Sequence, residues 1–417
     1  MTTVDAHAGR PSTASPPLAF PTTGDASGRT FGAEELAAVT RVLESGRLCR
    51  TVGTEAGALE REFADYLGVG ETVASTSGTA ALHLAVAAVN PEPGDEIVVP
   101  PITDYGTVAG VLAQCAIPVF ADVDPLTGCM TPESFLAVVT PRTRAVIVVH
   151  LFGGSARIDE IVALAHERGI VVIEDCAQAY LARPDAIGGP VGTHGDIGCF
   201  SLQQSKHISA GDGGLTVTND PAYARRMRLF ADKGWPRDTG ERTHLFPGLN
   251  YRMTELQAAV TRAQLPKLAG VIAARRRTAG SAISALTGLP GLRLPQHPDR
   301  HSFWMLPLVL DRQQIHLGCR KFAAVLIEHG VPAAGGYLTT PLNQTPAMTG
   351  RQVFGTSHFP FTVADDRPTR YRSGECPVAD SLVADSLVVI AWNENYRGEH
   401  VDRVVNAVID AHRRATS

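Results

Sequence analysis

Residues 145–151 read Ala145-Val146-Ile147-Val148-Val149-His150-Leu151, and residues 170–178 read Ile170-Val171-Val172-Ile173-Glu174-Asp175-Cys176-Ala177-Gln178. Both runs are continuous, apolar and rich in β-branched residues. Between them, 158–168 carries helical spacing and stops at Gly169. A run that does not alternate is buried on both faces, and two such strands joined through a helix lie parallel. The pattern extends outward in both directions. Upstream, Ser77-Gly78-Thr79 opens a helix over 80–89, strands are expected over 96–100 and 118–123, and Pro132 starts a helix after Thr131. Downstream, 199–203 and 215–218 read as further strands. The fold class is α/β, with a mainly parallel sheet covered on both faces.

The texture changes beyond Asn250. Helices are expected over 254–268 and 273–286, then a strand over 302–310 and short strands among loops, with 339–375 the most loop-rich stretch. This divides the chain into a large domain over 29–269 and a smaller α+β domain over 270–417. Residues 1–28 are rich in Ser, Thr, Pro, Gly and Ala and read as a mobile tail. A helix follows over 33–46, with Leu36, Val39, Val42 and Leu43 on one apolar face and Gly46 as its stop.

Composition narrows the function classes. The 417 residues are 44% hydrophobic and 19% charged, and 37 basic against 42 acidic side chains give a net charge of −5. No basic patch stands out, which argues against a nucleic-acid partner or a membrane surface. The seven cysteines form no Cys-x-x-Cys pair and read as buried, reduced thiols of a cytoplasmic protein, with no metal site expected. The N-terminus lacks a basic region followed by an apolar one, and the apolar runs are too short to span a bilayer.

Four features occur in order: Ser77-Gly78-Thr79, then Asp175 at the end of its strand, then Phe200-Ser201-Leu202-Gln203-Gln204-Ser205-Lys206, then Gly248-Leu249-Asn250-Tyr251-Arg252-Met253-Thr254-Glu255. Pyridoxal phosphate needs each kind of group. A helix N-terminus with hydroxyls holds its phosphate, and glycine lets the backbone approach. A carboxylate keeps its pyridinium protonated, which Asp175 could do. A lysine with a lowered pKa forms the Schiff base, and Lys206 stands in a stretch without carboxylates, from Cys199 to Ser209.

These residues resemble the DegT/DnrJ/EryC1/StrS family of pyridoxal-phosphate sugar aminotransferases, from about residue 30 to the end. Matching segments are Ser77 to Thr79, Pro118 to Asp124, Glu174-Asp175 with Gln178, Phe200 to Lys206, and Gly248 to Glu255. The resemblance implies a fold-type I transferase, with a large, mainly parallel, seven-stranded sheet domain and a smaller C-terminal domain. It implies Asp175 on the ring nitrogen, Gln178 near the ring hydroxyl, Ser201 on the phosphate and Lys206 as the Schiff-base lysine. Asn250 would reach the phosphate in a neighbouring subunit, so a homodimer with shared sites is expected. The implied reaction takes an amino group from glutamine or glutamate to a keto-sugar or keto-cyclitol, as in aminocyclitol antibiotic biosynthesis. Because Lys206 is a lysine and not the histidine of the family's dehydratases, transamination is favoured over that branch.

Two positions depart from the pattern. Where the family has an aromatic ring stacked on the cofactor, this chain has Asp104, with Tyr105 next to it, so either side chain is a candidate contact. His207 follows the lysine where smaller or apolar residues are usual, and reads either as packing or as a substrate contact. Arg237, Arg242 and Arg252 are candidates for a nucleotide-linked acceptor by position alone. A dehydratase, epimerase or lyase on the same scaffold, and a non-catalytic sensor or partner protein, are the alternatives. A nucleotide-binding oxidoreductase is disfavoured because no Gly-x-Gly-x-x-Gly turn follows the first strand.

Overall fold

The computed structural model describes residues 18–184, 188–363 and 371–416. Seven strands form the larger sheet: β1 (Glu71–Ser75), β2 (Glu96–Val99), β3 (Ile117–Phe120), β4 (Thr143–Val149), β5 (Val171–Asp175), β6 (Ile197–Ser201) and β7 (Gly214–Thr218). Their order is β1-β7-β6-β5-β4-β2-β3. All pairings from β3 to β6 are parallel, and β7 runs antiparallel to both of its neighbours. The continuous apolar runs are the central strands, as double burial requires: every residue of β2 and β6 is buried, and so are all of β4 except Arg144. The helix Gly78–Val89 is apolar all round and is packed between this sheet and the helix Pro221–Ala231.

A second, antiparallel sheet has the order β10-β11-β9-β8, from β8 (Leu292–Arg293), β9 (Met305–Leu310), β10 (Ala333–Gly335) and β11 (Leu387–Ala391). The helices Cys319–Glu328 and Gly398–Thr416 pack with it around Phe322, Leu326, Trp392, Val404 and Val408. The long helix Leu268–Leu286 joins the two halves and contributes Ile272 to the first core and Ala282 to the second.

Four expectations are corrected. Over 18–28 the chain is not a free tail: Gln204 Nε2 donates to Thr23 O at 2.8 Å, Asn395 Nδ2 to Ser27 O at 2.8 Å, and Asn393 Nδ2 to Gly28 O at 3.1 Å. Residues 1–17 lie outside the described residues. The helix Ala33–Ser45 forms, but its inner face is Glu35, Ala38 and Val42, while Leu36 and Leu43 are exposed. Glu35 turns inward because its carboxylate accepts from the Gly32 N–H, Gln264 and Lys267. The two helices expected over 254–286 are Glu255–Gln264 and Leu268–Leu286, linked by a 3-10 turn that holds Pro266. Five cysteines are buried, but Cys49 is exposed and Cys115 only partly covered.

Candidate active site

The carboxyl ends of β5 and β6 and the amino end of the helix Gly78–Val89 converge. Ser77 caps that helix, its side chain accepting from Ala80 N at 3.0 Å. Ser201, the last residue of β6, lies directly against it: a Cβ on Gly78 would stand 2.6 Å from the Ser201 Cβ, and one on Gly214 only 2.1 Å from Ser77 O. Three chain segments therefore meet with no room for side chains, around a helix end whose N–H groups point outward. Thr79 is exposed at the same end.

Asp175 ends β5 and is buried. Its Oδ2 accepts from Thr107 Oγ1 at 2.9 Å and its Oδ1 from Ala177 N at 3.1 Å. Burial raises its pKa above the ordinary carboxylate value, against these two bonds and the nearby charge of Lys206. Glu174, its neighbour, points to the opposite face and is saturated: it accepts from His150 Nε2 and from the N–H groups of Gly192, His194 and Gly195. His150 Nδ1 in turn accepts from Ala156 N, so the His150–Glu174–Cys176 cluster spends its donors and acceptors on bracing loops.

Lys206 lies on the loop after β6 and, among the described residues, forms no ion pair. Burial brings its pKa down to about 8, opposed by the charges of Asp175 and Asp104. Its carbonyl accepts from the buried Arg29 Nη1 at 2.9 Å, and its Nζ lies 4.2 Å from the centroid of the Trp304 ring.

Asp104 uses Oδ1 to accept from Gly106 N at 2.8 Å and is otherwise exposed. Its charge acts on Lys206, Asp175 and Tyr337, whereas Tyr105 leaves 39% of its surface in solvent. Gln178 is buried, and both ends of its amide are engaged: Oε1 accepts from Phe152 N at 2.8 Å and Nε2 donates to Tyr337 Oη at 3.1 Å. Tyr337, at φ 60°, reaches in from the turn after β10. Trp304, Tyr337, Thr107 and Arg29 are the site residues that the sequence reading did not single out.

Some expected residues lie elsewhere. His207 is buried, donates from Nε2 to Ser302 O at 3.0 Å and packs on Tyr180, as the packing alternative requires. Arg252 and Arg237 both bind the Asp232 carboxylate. With Arg50, Arg225, Arg228 and Trp235 they line a cavity of about 430 Å³ that includes none of the residues around Lys206. Arg242 lies 5.9 Å from the Trp235 ring. Asn250 is exposed beside Leu249, and its side chain has no hydrogen bond among the described residues.

Comparison with known proteins places this geometry. The profile of the DegT/DnrJ/EryC1/StrS aminotransferase family matches residues 29–409. The chain is 36% identical to the L-glutamine:2-deoxy-scyllo-inosose aminotransferase of Streptomyces kanamyceticus over 78% of this chain and 80% of that one. It is 42% identical to the UDP-N-acetyl-3-dehydro-alpha-D-glucosamine 3-aminotransferase of Acidithiobacillus ferrooxidans over 67% of this chain and 74% of that one. The crystal structure of an aminotransferase from Psychrobacter cryohalolentis superposes with a TM-score of 0.81 at 28% identity, covering 93% of this chain and 98% of that one.

Proposed function

The chain belongs to the DegT/DnrJ/EryC1/StrS aminotransferase family, and from that premise we propose that it moves an amino group from glutamine or glutamate to the carbonyl of a keto-sugar or keto-cyclitol, with pyridoxal phosphate as cofactor and Lys206 as the lysine that carries it. The observation behind this reading is the pair formed by Lys206 and Asp175. The amine, brought down to about 8 by burial, and the buried carboxyl group act electrostatically on each other, the Asp175 charge favouring the protonated amine.

The residues fit the cofactor. Asp175 is a buried carboxyl group suited to a pyridinium N–H, and the side-chain-free junction of Gly78 against Ser201 and of Gly214 against Ser77 leaves N–H groups and hydroxyls for a phosphate. When bound, pyridoxal phosphate supplies an electron sink that makes the α-proton of an amino acid removable. Lys206 is the base that takes this proton and gives it back, and a pKa near 8 leaves part of it neutral at cellular pH. Asp175, fixed by Thr107 and Ala177, keeps its charge aimed at one point. Gln178 and Tyr337 brace each other at the border between the two sheets.

A relative named for glutamine and a cyclitol supports glutamine as donor. A relative named for a nucleotide-linked substrate keeps that acceptor class open. The exposed leucines near Asn250 support a second copy of the chain as partner, completing each site with Asn250. No described helix is long and apolar enough to cross a membrane, and the family reading is that of a cytoplasmic enzyme.

The test is the visible spectrum of the purified protein with pyridoxal phosphate, before and after glutamine, glutamate and borohydride. An absorbance band that one donor bleaches and that borohydride fixes to Lys206 is expected. Lys206→Ala should lose multiple turnover by at least about 1,000-fold, the scale of removing an essential acid–base group. Multiple turnover that survives this substitution would sink the reading.

A further inference from the structure

The aromatic surface beside Lys206 comes from the second sheet. Trp304 stands one residue before β9, and its ring face lies 4.2 Å, centroid to atom, from the Lys206 Nζ. The ring is held there from two sides. Its Nε1–H donates to Ser205 O at 2.9 Å, on the residue preceding the lysine. The Tyr337 ring meets it edge to face at 6.2 Å. Tyr337 is itself fixed by Gln178 and by the Phe152 ring at 5.0 Å. Trp304 therefore binds the lysine's loop through its N–H and faces the lysine's amine with its ring, so the two cannot move independently.

We propose that Trp304 is a positioning residue for Lys206: its ring is the seat of the free ammonium, supplied from the second sheet to a lysine carried by the first. The negative face of an indole attracts an ammonium most strongly where water is excluded. Lys206 is partly buried, and its opposing groups are few. Asp175 at the end of β5 and Asp104 before the helix Gly106–Ala113 favour the charged form. The Tyr337 phenol comes from the second sheet, with its own pKa pushed up by burial. On the backbone side, Arg29 binds the Lys206 carbonyl and the neutral His207 is turned toward Ser302. Asp104 occupies the place where the family pattern has a ring, so this chain puts a carboxylate on one side of the amine and its aromatic face on another. The proposal rests on the aminotransferase reading only for its consequence: the seat returns the amine to one position each time it is released.

The test uses the cofactor-free protein and does not depend on turnover. The rate of Lys206 acetylation by acetic anhydride is followed against pH by peptide mass spectrometry. Trp304→Leu is expected to lower the apparent pKa of Lys206 by about one unit, roughly tenfold in proton affinity, and Trp304→Phe by less than half of that. An unchanged pKa in a folded Trp304→Leu protein overturns the seat. So does an equal fall in both variants, which would assign the effect to the indole N–H alone. Should Trp304→Leu fail to fold, fluorinated tryptophan can replace the three tryptophans of the wild-type chain. Fluorine withdraws charge from the ring face with little change of shape. The Lys206 pKa should then fall with each added fluorine, and a flat series overturns the proposal. If the family activity were absent, cofactor binding and donor-dependent bleaching would fail while these pKa differences persisted.

Discussion

Gly78 has no side chain because Ser201 occupies the place where one would go. A Cβ there would meet the Ser201 Cβ at 2.6 Å and its Oγ at 2.8 Å, distances that require one of the two strands of chain to shift. Gly78→Ala is therefore expected to cost about 1–3 kcal/mol of stability, the usual range for overpacking a filled site. The double variant with Ser201→Gly should recover most of that loss in urea unfolding. It should not recover pyridoxal-phosphate affinity, because the Ser201 hydroxyl is gone. Equal affinity in the double variant and the wild type would remove Ser201 from the phosphate site. Ser77, Gly78, Asp175, Ser201 and Lys206 were legible in the sequence because each sits at a junction between strand and helix or loop that the local pattern marks. Trp304 and Tyr337 were not. They arrive from the second sheet, and nothing in His301-Ser302-Phe303-Trp304 or Gly335-Gly336-Tyr337 encodes which lysine they will meet. The two glycines before Tyr337 mark a turn in the sequence, and the structure shows it in the φ of 60° at Tyr337.

The helix Gly78–Val89 shows what periodicity can and cannot deliver. It is apolar all round, so its start and extent were readable, but the role of its one polar interior residue was not. His83 is buried, with Nε2 accepting from the Gln114 amide at 2.8 Å and Nδ1–H donating to Tyr251 Oη at 3.0 Å. It thus ties this helix to the segment that carries Asn250. Burial lowers its pKa from 6.5 to about 4. Between those two values the unfolded chain binds a proton at His83 and the folded chain does not. This contribution is fully present above pH 6.5, declines as the pH falls, and is lost by about pH 4. The depression corresponds to about 3 kcal/mol. Urea unfolding of wild type and His83→Phe at pH 7, 5.5 and 4.5 should show the gap between them narrowing by that order toward acid. Parallel curves would mean that His83 titrates normally in the fold. The central strands were readable because double burial leaves continuous apolar runs. The helix Glu55–Leu67 passed unnoticed, since its inner face of Ala56, Leu59, Phe63, Ala64 and Leu67 also carries Glu60 and is broken up by charged neighbours. The helix Ala33–Ser45 was found with its faces misassigned, because Leu36 and Leu43 look like core residues and the buried Glu35 does not.

That misassignment matters for the molecule as a whole. Leu36 and Leu43 lie two turns apart on one side of their helix and leave 70% and 57% of their surface exposed. Leu48, Val52, Leu245 and Leu249 are exposed as well, the last directly before Asn250. Ala38 and Val42, on the other side, already pack on Ala259 and so fix which side faces out. A single chain gains nothing from so many uncovered leucines, whereas a second copy gains a hydrophobic interface. The chain should accordingly be dimeric by light scattering. Leu36→Glu with Leu43→Glu, which buries no new charge within one chain, should weaken the dimer by about 100-fold or more. Asn250→Ala separates two roles that the dimer could have. If Asn250 completes the neighbouring site, it should lower pyridoxal-phosphate affinity without dissociating the dimer, and the glutamate variant should lower affinity to the same degree by dissociating it. A glutamate variant that is monomeric but binds the cofactor as wild type does would confine Asn250 to its own chain. A glutamate variant that stays dimeric would move the interface away from this helix, and the leucines would then need another partner.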